Sequence, residues 1–569
     1  MKRNRMRLVG PALALLLALT VPACSSKPAA PPQPPATATP PAAERAEDQP
    51  RDGGTLTFAS LGDIVTLNPL FAQDTASGDL QQLLLARLYD LSPEGKLAVT
   101  ENSLAAELPR VEDGGLRYTI KLKETPRWSD GKPVTADDVV FTFQMMANPE
   151  VGSPLLPYVD KVKEIKAVDP HTVEITMKEI YAPFELTALN VPVAPRHVLE
   201  GVAPRELQNH PYGKDLTRTV TNGPYRWAEW QQNQYHVLTR DPNFWGKKPH
   251  IEKVVYKVYA DAQTMVQGLL SGDVDMATGI PVSLLGAVKA KEGLTVIEQP
   301  GPYYDYLGFN FNGENFPGGK SPFAGVKTRQ AIAYAINRKG MVDSILQGHG
   351  SIINGPFLSS SWAYTPGSDV DYPYDPEKAK QLLAEDGWKP GPDGILRKDG
   401  QRFAFTLQYN AGNTRREQIA AVVQQNLKDV GIEVKIEPVE WSAWVEKNIS
   451  PGKFQAVLLG WQLTPDPDAE PIFSSRYFPP SGQNIGWYRN ERADRLWVEG
   501  YRTTDPAKRK QVYADLAREL STDLPYVFLM QRNEILGVSQ RVRWKKEHAP
   551  VLSLPYGYFL RFVEYWVTD

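Results

Sequence analysis

The first 24 residues most constrain where and how this chain folds. Four basic residues lie between Lys2 and Arg7, and an apolar stretch of 13 residues follows, from Leu8 to Thr20. A stretch of this length is too short to span a hydrocarbon core about 30 Å thick, and its flanks are typical of a secretory signal. No later apolar run is long enough to cross a bilayer. We therefore expect the rest of the chain to fold in water, outside the cytoplasm.

The signal ends at Cys24, the only cysteine of the chain. The sequence from Val21 to Cys24 (VPAC) resembles a bacterial lipobox, whose cysteine becomes N-terminal and carries lipid; an ordinary secretory signal with an incidental cysteine is the alternative. Residues 25–52 are rich in proline and alanine, which favours an extended, polyproline-like tether. We predict a lipoprotein signal peptide over 1–23 and a disordered tether over 24–52, with the lipid on Cys24 anchoring a globular body to a membrane.

Composition and motifs argue against several functional classes. The formal net charge of −3 gives no reason to expect a nucleic-acid partner. A single cysteine excludes an intramolecular disulfide, the histidines lack zincin spacing, and the G-x-S-x-G elbow of many hydrolases is absent. The GGKS run at Gly318–Ser321 lacks the spacing of a phosphate-binding loop. We expect no catalytic residues, no metal and no cofactor, although a hydrolase with paired carboxylates needs no motif and stays open.

Alternating and helical patterns indicate an α/β body. Thr55–Ser60 and Leu116–Leu122 alternate as strands do, whereas Leu80–Leu88 and Thr328–Leu346 have helical periodicity. A capping box opens one helix at Thr135 and Asp138, and a second is predicted at Thr414 and Glu417.

Four stretches, taken in order, carry a family resemblance. They are Tyr118–Phe143 (YTIKLKETPRWSDGKPVTADDVVFTF), Asn222–Tyr225 (NGPY) followed by Arg240–Trp245 (RDPNFW), Gly268–Met276 (GLLSGDVDM) and Gly308–Arg338, which ends in RQAIAYAINR. Together they resemble the family 5 extracellular solute-binding proteins, the oligopeptide- and dipeptide-binding lipoproteins of bacterial ABC importers.

The resemblance implies an α/β, two-lobed periplasmic-binding-protein-like (Venus-flytrap) fold with an additional inserted domain. By analogy, an inserted domain II takes residues 90–195, where the WSDGKPVTADD motif would be structural. Lobe III takes residues 301–534. Lobe I is built from three parts, residues 53–89, 196–300 and 535–569.

The resemblance also implies that a ligand lies between the lobes and is enclosed as a hinge closes. Peptide-binding members place a tryptophan in lobe III, often followed three residues later by an aspartate for the peptide ammonium. Trp461 matches the tryptophan, but Thr464 stands at the acidic position and Leu458 at a position that is basic in some members. We expect the following residues to bind ligand: Trp461, Asp466, Asp468, Tyr303, Tyr304, Tyr306, Asn310, Asn484 and Thr75.

Alternatives remain open for these residues and for the function. Core packing is the alternative for the tyrosines, and solvated turn carboxylates for Asp466 and Asp468. The resemblance implies a monomeric, lipid-anchored receptor that binds a peptide or similar small polar oligomer and works with ABC permease and ATPase subunits. The same scaffold could bind an oligosaccharide, an opine or a metal chelate. A cell-surface hydrolase and a signalling or adhesion lipoprotein are alternatives of other classes.

Overall fold

The structure is a computed structural model that describes residues 49–72, 74–479 and 482–568. The predicted signal peptide, Cys24 and the tether up to residue 48 lie outside the described residues. None of the described helices is long and apolar enough to span a membrane.

The strands alternate with helices along most of the body. The strands are β1 Thr55–Ser60, β2 Asp90–Leu91, β3 Leu97–Ala98, β4 Arg110–Glu112, β5 Arg117–Lys121, β6 Val162–Asp169, β7 Thr172–Met177, β8 Tyr225–Gln231, β9 Tyr235–Arg240, β10 Lys253–Val258, β11 Met276–Ala277, β12 Leu294–Phe309, β13 Gly350–Ile352, β14 Lys389–Pro390, β15 Leu396–Lys398, β16 Gln401–Arg402, β17 Ala404–Asn410, β18 Glu433–Val439, β19 Ala456–Gln462, β20 Tyr526–Ser539, β21 Val542–Arg543 and β22 Trp566–Val567. The α-helices are α1 Thr75–Leu84, α2 Ala136–Ala147, α3 Leu156–Val159, α4 Phe184–Thr187, α5 Arg196–Leu199, α6 Ala262–Ser271, α7 Val282–Ala290, α8 Val326–Ala335, α9 Arg338–Ser344, α10 Pro376–Glu385, α11 Thr414–Asp429, α12 Trp441–Trp444, α13 Glu470–Phe473, α14 Glu491–Arg502 and α15 Pro506–Asp523.

One sheet of 11 described strands runs through both predicted lobes. Its order is β18-β17-β19-β12-β20-β11-β1-β10-β9-β8, and β13 pairs with β20 beside this path. β1 pairs in parallel with β10 and β11, as β17 does with β18 and β19, whereas the remaining neighbours are antiparallel. A separate four-stranded sheet, β4-β5-β7-β6, lies in the predicted inserted domain.

The long strands β12 and β20 cross from the predicted lobe I to the predicted lobe III. Residues 294–300 pair with residues 533–539, and residues 304–308 pair with residues 526–531, with a register shift between Pro300 and Tyr304. Within this gap the side-chain amide of Gln531 (Nε2) donates to the carbonyl of Gly301 at 2.8 Å. A bulge breaks the ladder and bends a strand, so this gap is the natural position for a hinge.

Separate apolar cores build the two halves. One core joins the predicted lobe I to the inserted domain, since Leu56, Tyr118 and Leu536 are buried in the same cluster. Two further cores lie in lobe III, one under α8 and α11 and the other under α15. Because the inserted domain shares its core with lobe I, the two are packed as one body.

The capping box at Thr135 is confirmed. The Asp138 carboxylate accepts from the N–H of Thr135 at 2.9 Å with one oxygen, and from the N–H of Arg196 at 2.9 Å with the other. This carboxylate therefore ties the start of α2 to the start of α5, in agreement with a structural role for the WSDGKPVTADD motif.

Three local predictions were wrong in their boundaries. The helix predicted at Leu80–Leu88 begins at Thr75, because the Asp74 carboxylate accepts from the N–H of Ser77 and caps it. The helix predicted over 328–346 is divided into α8 and α9, because Asn337 caps a new helix through the N–H of Gly340 at 2.8 Å. The cap of α11 is Asn413 and not Thr414.

Candidate functional site

Trp461 stands at the carboxyl end of β19, opposite Tyr304 of β12. Its ring lies parallel to that of Tyr306, 6.3 Å between centroids, and Tyr306 in turn stacks on Tyr526 at 4.0 Å. Tyr306 is fully buried, whereas Trp461 is only partly buried. Trp461 is thus the outer ring of an aromatic stack, and its broad face is the part of the stack that a ligand can contact.

The segment after Trp461 lies where the two lobes meet. A cavity of about 50 Å³, here called the interlobe cavity, is lined by residues of the predicted lobe III, of the predicted inserted domain and of the last predicted part of lobe I. The N–H of Leu463 donates to the carbonyl of Pro302 at 2.8 Å and closes one wall. The lining includes Gly95, Pro302, Trp362, Thr464, Pro467 and Leu554.

Tyr303 differs from the other two predicted tyrosines. It is partly buried beside the hinge, and the guanidinium of Arg532 lies 4.1 Å from its ring centroid. Burial raises its pKa, and the charges of Glu534 and, from lobe I, Asp79 raise it further. Tyr304 and Tyr306 are fully buried, as the core-packing alternative for the tyrosines predicts. Of the three, Tyr303 is the least buried, and its predicted ligand contact stays a prediction.

Asp466 is committed to an ion pair inside lobe III. The guanidinium of Arg509 donates to both of its carboxylate oxygens, at 2.6 and 2.8 Å, and Asp466 is 2% exposed. It does not line the interlobe cavity. A ligand contact from Asp466 therefore stays a prediction that the geometry does not favour.

Asp468 likewise does not line the interlobe cavity. Its carboxylate accepts from the N–H of Glu470 at 3.2 Å. Burial raises its pKa to about 7, and the charge of Asp466 raises it as well, whereas a hydrogen bond from Tyr181 of the inserted domain lowers it. The carboxylate thus faces the inserted domain, and its predicted role as the ammonium partner remains untested.

Asn310 and Asn484 use their amides to hold loops of lobe III. Asn310 donates to the carbonyl of Gly452 at 2.9 Å and accepts from the N–H of Asn312. Asn484 donates to the carbonyls of Ser474 and Tyr488 and accepts from the N–H of Tyr488. Both residues are buried, so their predicted ligand contacts gain no support from the geometry.

Thr75 is exposed at the start of α1, on the predicted lip of lobe I. Tyr556, which the sequence reasoning missed, lies on this helix, because a Cβ at Gly78 would come within 2.3 Å of its phenol. Burial and, to a smaller extent, the charge of Tyr556 raise the pKa of Tyr303. The aromatic run PYGY at 555–558 was the only signal for Tyr556 in the sequence.

A larger cavity, of about 550 Å³, lies between lobe I and the inserted domain. Arg87, Asp90, Lys123 and Arg561 are among its lining residues, and none of the predicted site residues is. Among the described residues, no three His, Cys, Asp or Glu side chains come together in a way that could hold a metal ion.

Comparison with known proteins places this arrangement in a family. The model of the bacterial extracellular solute-binding proteins, family 5 (Middle) matches residues 100–484. The chain belongs to this family. The oligopeptide-binding protein AppA of Bacillus subtilis is 32% identical over 554 residues, 96% of this chain and 97% of AppA. The probable D,D-dipeptide-binding periplasmic protein DdpA of Escherichia coli is 27% identical over 502 residues, 87% of this chain and 91% of DdpA.

Solved structures of relatives have the same architecture. Bacillus subtilis AppA in complex with a nonapeptide has a TM-score of 0.79 and 31% identity, and the match covers 92% of this chain and 100% of AppA. NikZ of Campylobacter jejuni with Ni(L-His) has a TM-score of 0.76 at 24% identity, covering 90% of this chain and 99% of NikZ, and shows the fold alone.

The family 5 assignment confirms the two-lobed α/β fold. Family 5 proteins are extracytoplasmic binding components of transport systems, which excludes the hydrolase alternative. The boundaries of the lobes and the identity of the ligand-binding residues stay predictions.

Proposed function

We propose that this family 5 protein captures peptides between its lobes and delivers them to ABC permease and ATPase subunits. The observation that carries the proposal is Trp461, a partly buried ring at the end of β19 and two residues before Leu463, which lines the interlobe cavity. The relative with 32% identity over 96% of this chain is an oligopeptide-binding protein. Thr464, three residues after Trp461, lines the interlobe cavity.

The size of the interlobe cavity supports capture by movement of the lobes. About 50 Å³ has room for one or a few waters, whereas small-molecule sites typically occupy about 300–1,000 Å³. A peptide would therefore enter when the lobes separate at the gap between Pro300 and Tyr304. Closure around the ligand then excludes water and strengthens each polar contact.

We also propose that lipid on Cys24 anchors the protein to a membrane through the proline-rich tether. The support is the single cysteine at the end of a short apolar signal. The anchor would keep the receptor near its permease, and the tether would let the body move. We propose that the body acts as a monomer.

Thermal unfolding with candidate ligands tests the peptide assignment. A ligand that binds only the folded state raises Tm with concentration, so dipeptides to nonapeptides should raise it while oligosaccharides, opines and nickel–histidine should not. Trp461→Ala should abolish the shift. Trp441→Ala is the matched control, because Trp441 is also in lobe III but is 51% exposed and packs on Trp444 rather than on the stack of Trp461, Tyr306 and Tyr526. A shift with another solute class and none with peptides would refute the peptide assignment alone.

A further inference from the structure

The inserted domain contacts lobe III through a small set of residues that we call the latch: Glu179, Tyr181 and Ala182 of the inserted domain, with Tyr501 and Arg502 of α14. The N–H of Ala182 donates to the carbonyl of Tyr501 at 2.7 Å. The Arg502 guanidinium donates to the Glu179 carboxylate at 2.5 Å. The rings of Tyr181 and Tyr501 meet edge to face, 5.9 Å between centroids.

Tyr501 is buried in a core that is not its own. It belongs to a lobe III helix, yet it is fully buried in the cluster that unites lobe I with the inserted domain. Trp497, four residues earlier on the same helix, is buried in the lobe III core. Residues four apart in a helix lie on one face, so this face of α14 has one aromatic residue in each half of the molecule.

The ammonium group of Lys161 adds an electrostatic interaction to the latch. The ammonium of Lys161 lies 4.7 Å from the ring centroid of Tyr181 and 5.7 Å from that of Tyr501. Lys161 is also close enough to Asp468 of lobe III for its charge to lower the pKa of that carboxyl. A cation held between two rings is attracted by both, so the contact is more than a meeting of apolar surfaces.

The latch must break when the lobes separate. The inserted domain shares its core with lobe I, whereas α14 belongs to lobe III, which is joined to lobe I through β12 and β20. A bend at the gap in these strands moves Tyr501 away from Tyr181. Opening would therefore expose Tyr501 and separate Arg502 from Glu179.

We propose that the latch holds the lobes closed and so sets ligand affinity, although none of its residues lines the interlobe cavity. This inference rests on the proposed capture by closure. Apparent affinity is the intrinsic affinity scaled by the population of the binding-competent state. Contacts made only in the closed state raise that population before any ligand binds. The inserted domain thereby helps to hold lobe III in the closed position, although only Glu94 and Gly95 of this domain line the interlobe cavity.

The test compares latch variants with a matched pair on the same helix. Tyr501→Ala should weaken peptide affinity by roughly tenfold, and Glu179→Gln by less, because coupling between distant parts is commonly 5- to 150-fold. Tyr501→Phe keeps the buried ring and should bind nearly as wild type does. The control is Glu491→Gln, which removes an exposed pair with Arg495 inside α14 and leaves the latch intact.

A readout without ligand separates this inference from the proposed function. In the full chain carrying Cys24→Ser, spin labels at Glu164→Cys and Gln511→Cys report the distance between the inserted domain and lobe III; both positions are exposed. Latch variants should shift the ligand-free distances towards longer values, and the control should not. Unchanged distances in Tyr501→Ala would overturn the latch. If Tyr501→Ala fails to fold, Glu179→Gln and Arg502→Gln at exposed or half-buried positions provide the same comparison. Absence of peptide binding by the wild type would refute the proposed function and leave the distances to decide the latch.

Discussion

Arg509 donates hydrogen bonds to both carboxylate oxygens of Asp466, at 2.6 and 2.8 Å, and both side chains are buried. The same guanidinium donates to the hydroxyl of Tyr513 at 2.7 Å and to the carbonyl of Gly500 at 3.0 Å. The loop that follows Trp461 is therefore fastened to α15 and to the end of α14. This anchoring holds the loop that carries Thr464, which lines the interlobe cavity.

Replacing Asp466 tests whether the pair is structural. Asp466→Ala leaves a buried guanidinium without its counter-charge, and we expect the free energy of unfolding to fall by about 3–5 kcal/mol. Denaturant unfolding measures this, and a double-mutant cycle with Arg509→Ala should show that the two losses are not additive. Peptide affinity of the folded variant should stay near that of the wild type. A large loss of affinity at unchanged stability would instead make Asp466 a ligand residue.

Introducing an acid at Thr464 tests how the site recognises a peptide terminus. Thr464 is exposed and lines the interlobe cavity, at the position where peptide-binding members often have an aspartate. A charged hydrogen bond contributes about 1.5–3 kcal/mol, so Thr464→Asp should strengthen binding of a free amino terminus by roughly tenfold or more. Calorimetry with one peptide, free and N-acetylated, measures the ratio. Thr464→Asn is the uncharged control. An equal gain for both peptides would show that the ammonium lies elsewhere.

Asp79 gives stability a pH dependence of unusual sign. Burial raises its pKa to about 7, although Tyr558 and Tyr256 donate hydrogen bonds to it, at 2.5 and 2.7 Å. The unfolded carboxyl titrates near 4, so between about pH 4 and pH 7 the folded protein holds the extra proton. The contribution of Asp79 to the free energy of unfolding therefore falls as the pH rises through this window. Asp79→Asn should remove that contribution, as denaturant unfolding at a series of pH values would measure.

Asp261 is the control for this titration. Asp261 is exposed and caps α6. The hydrogen bond that its carboxylate accepts from the N–H of Thr264 is the main reason why its pKa is lowered. A lowered pKa contributes stability that is lost as the pH falls below about 4. Asp261→Asn should therefore leave the slope between pH 4 and pH 7 unchanged. If Asp79→Asn also leaves it unchanged, the raised pKa is not what governs stability in that range.

Replacing Cys24 tests the proposed anchor. Cys24→Ser removes the only thiol of the chain, so the protein should no longer incorporate radiolabelled palmitate and should leave the membrane fraction. Ala23→Ser keeps a small residue before the cysteine and should preserve labelling. Membrane association of Cys24→Ser at wild-type levels would contradict lipidation at this residue.

Local sequence was sufficient to predict a helix or strand wherever the residues of that segment determine its structure by themselves. The capping residue Asp138 lies three positions from the amide that it satisfies, and alternation in Thr55–Ser60 makes one strand face apolar. Local patterns failed at α8 and α9, because a continuous helical period conceals an internal asparagine cap at Asn337. For Trp461 the family resemblance gave the correct position at the end of a strand.

The sequence by itself determined the α/β family and the position of the tryptophan near the end of β19, because these depend on residue types at short and regular spacings. Only the tertiary structure shows which residues the acids after that tryptophan contact. Asp466 finds its partner at Arg509, 43 residues later, and Asp468 faces Tyr181, far earlier in the chain. The role of a carboxylate depends on its burial and on the charged residues that pack against it. A local sequence pattern does not show which distant residue will become its partner.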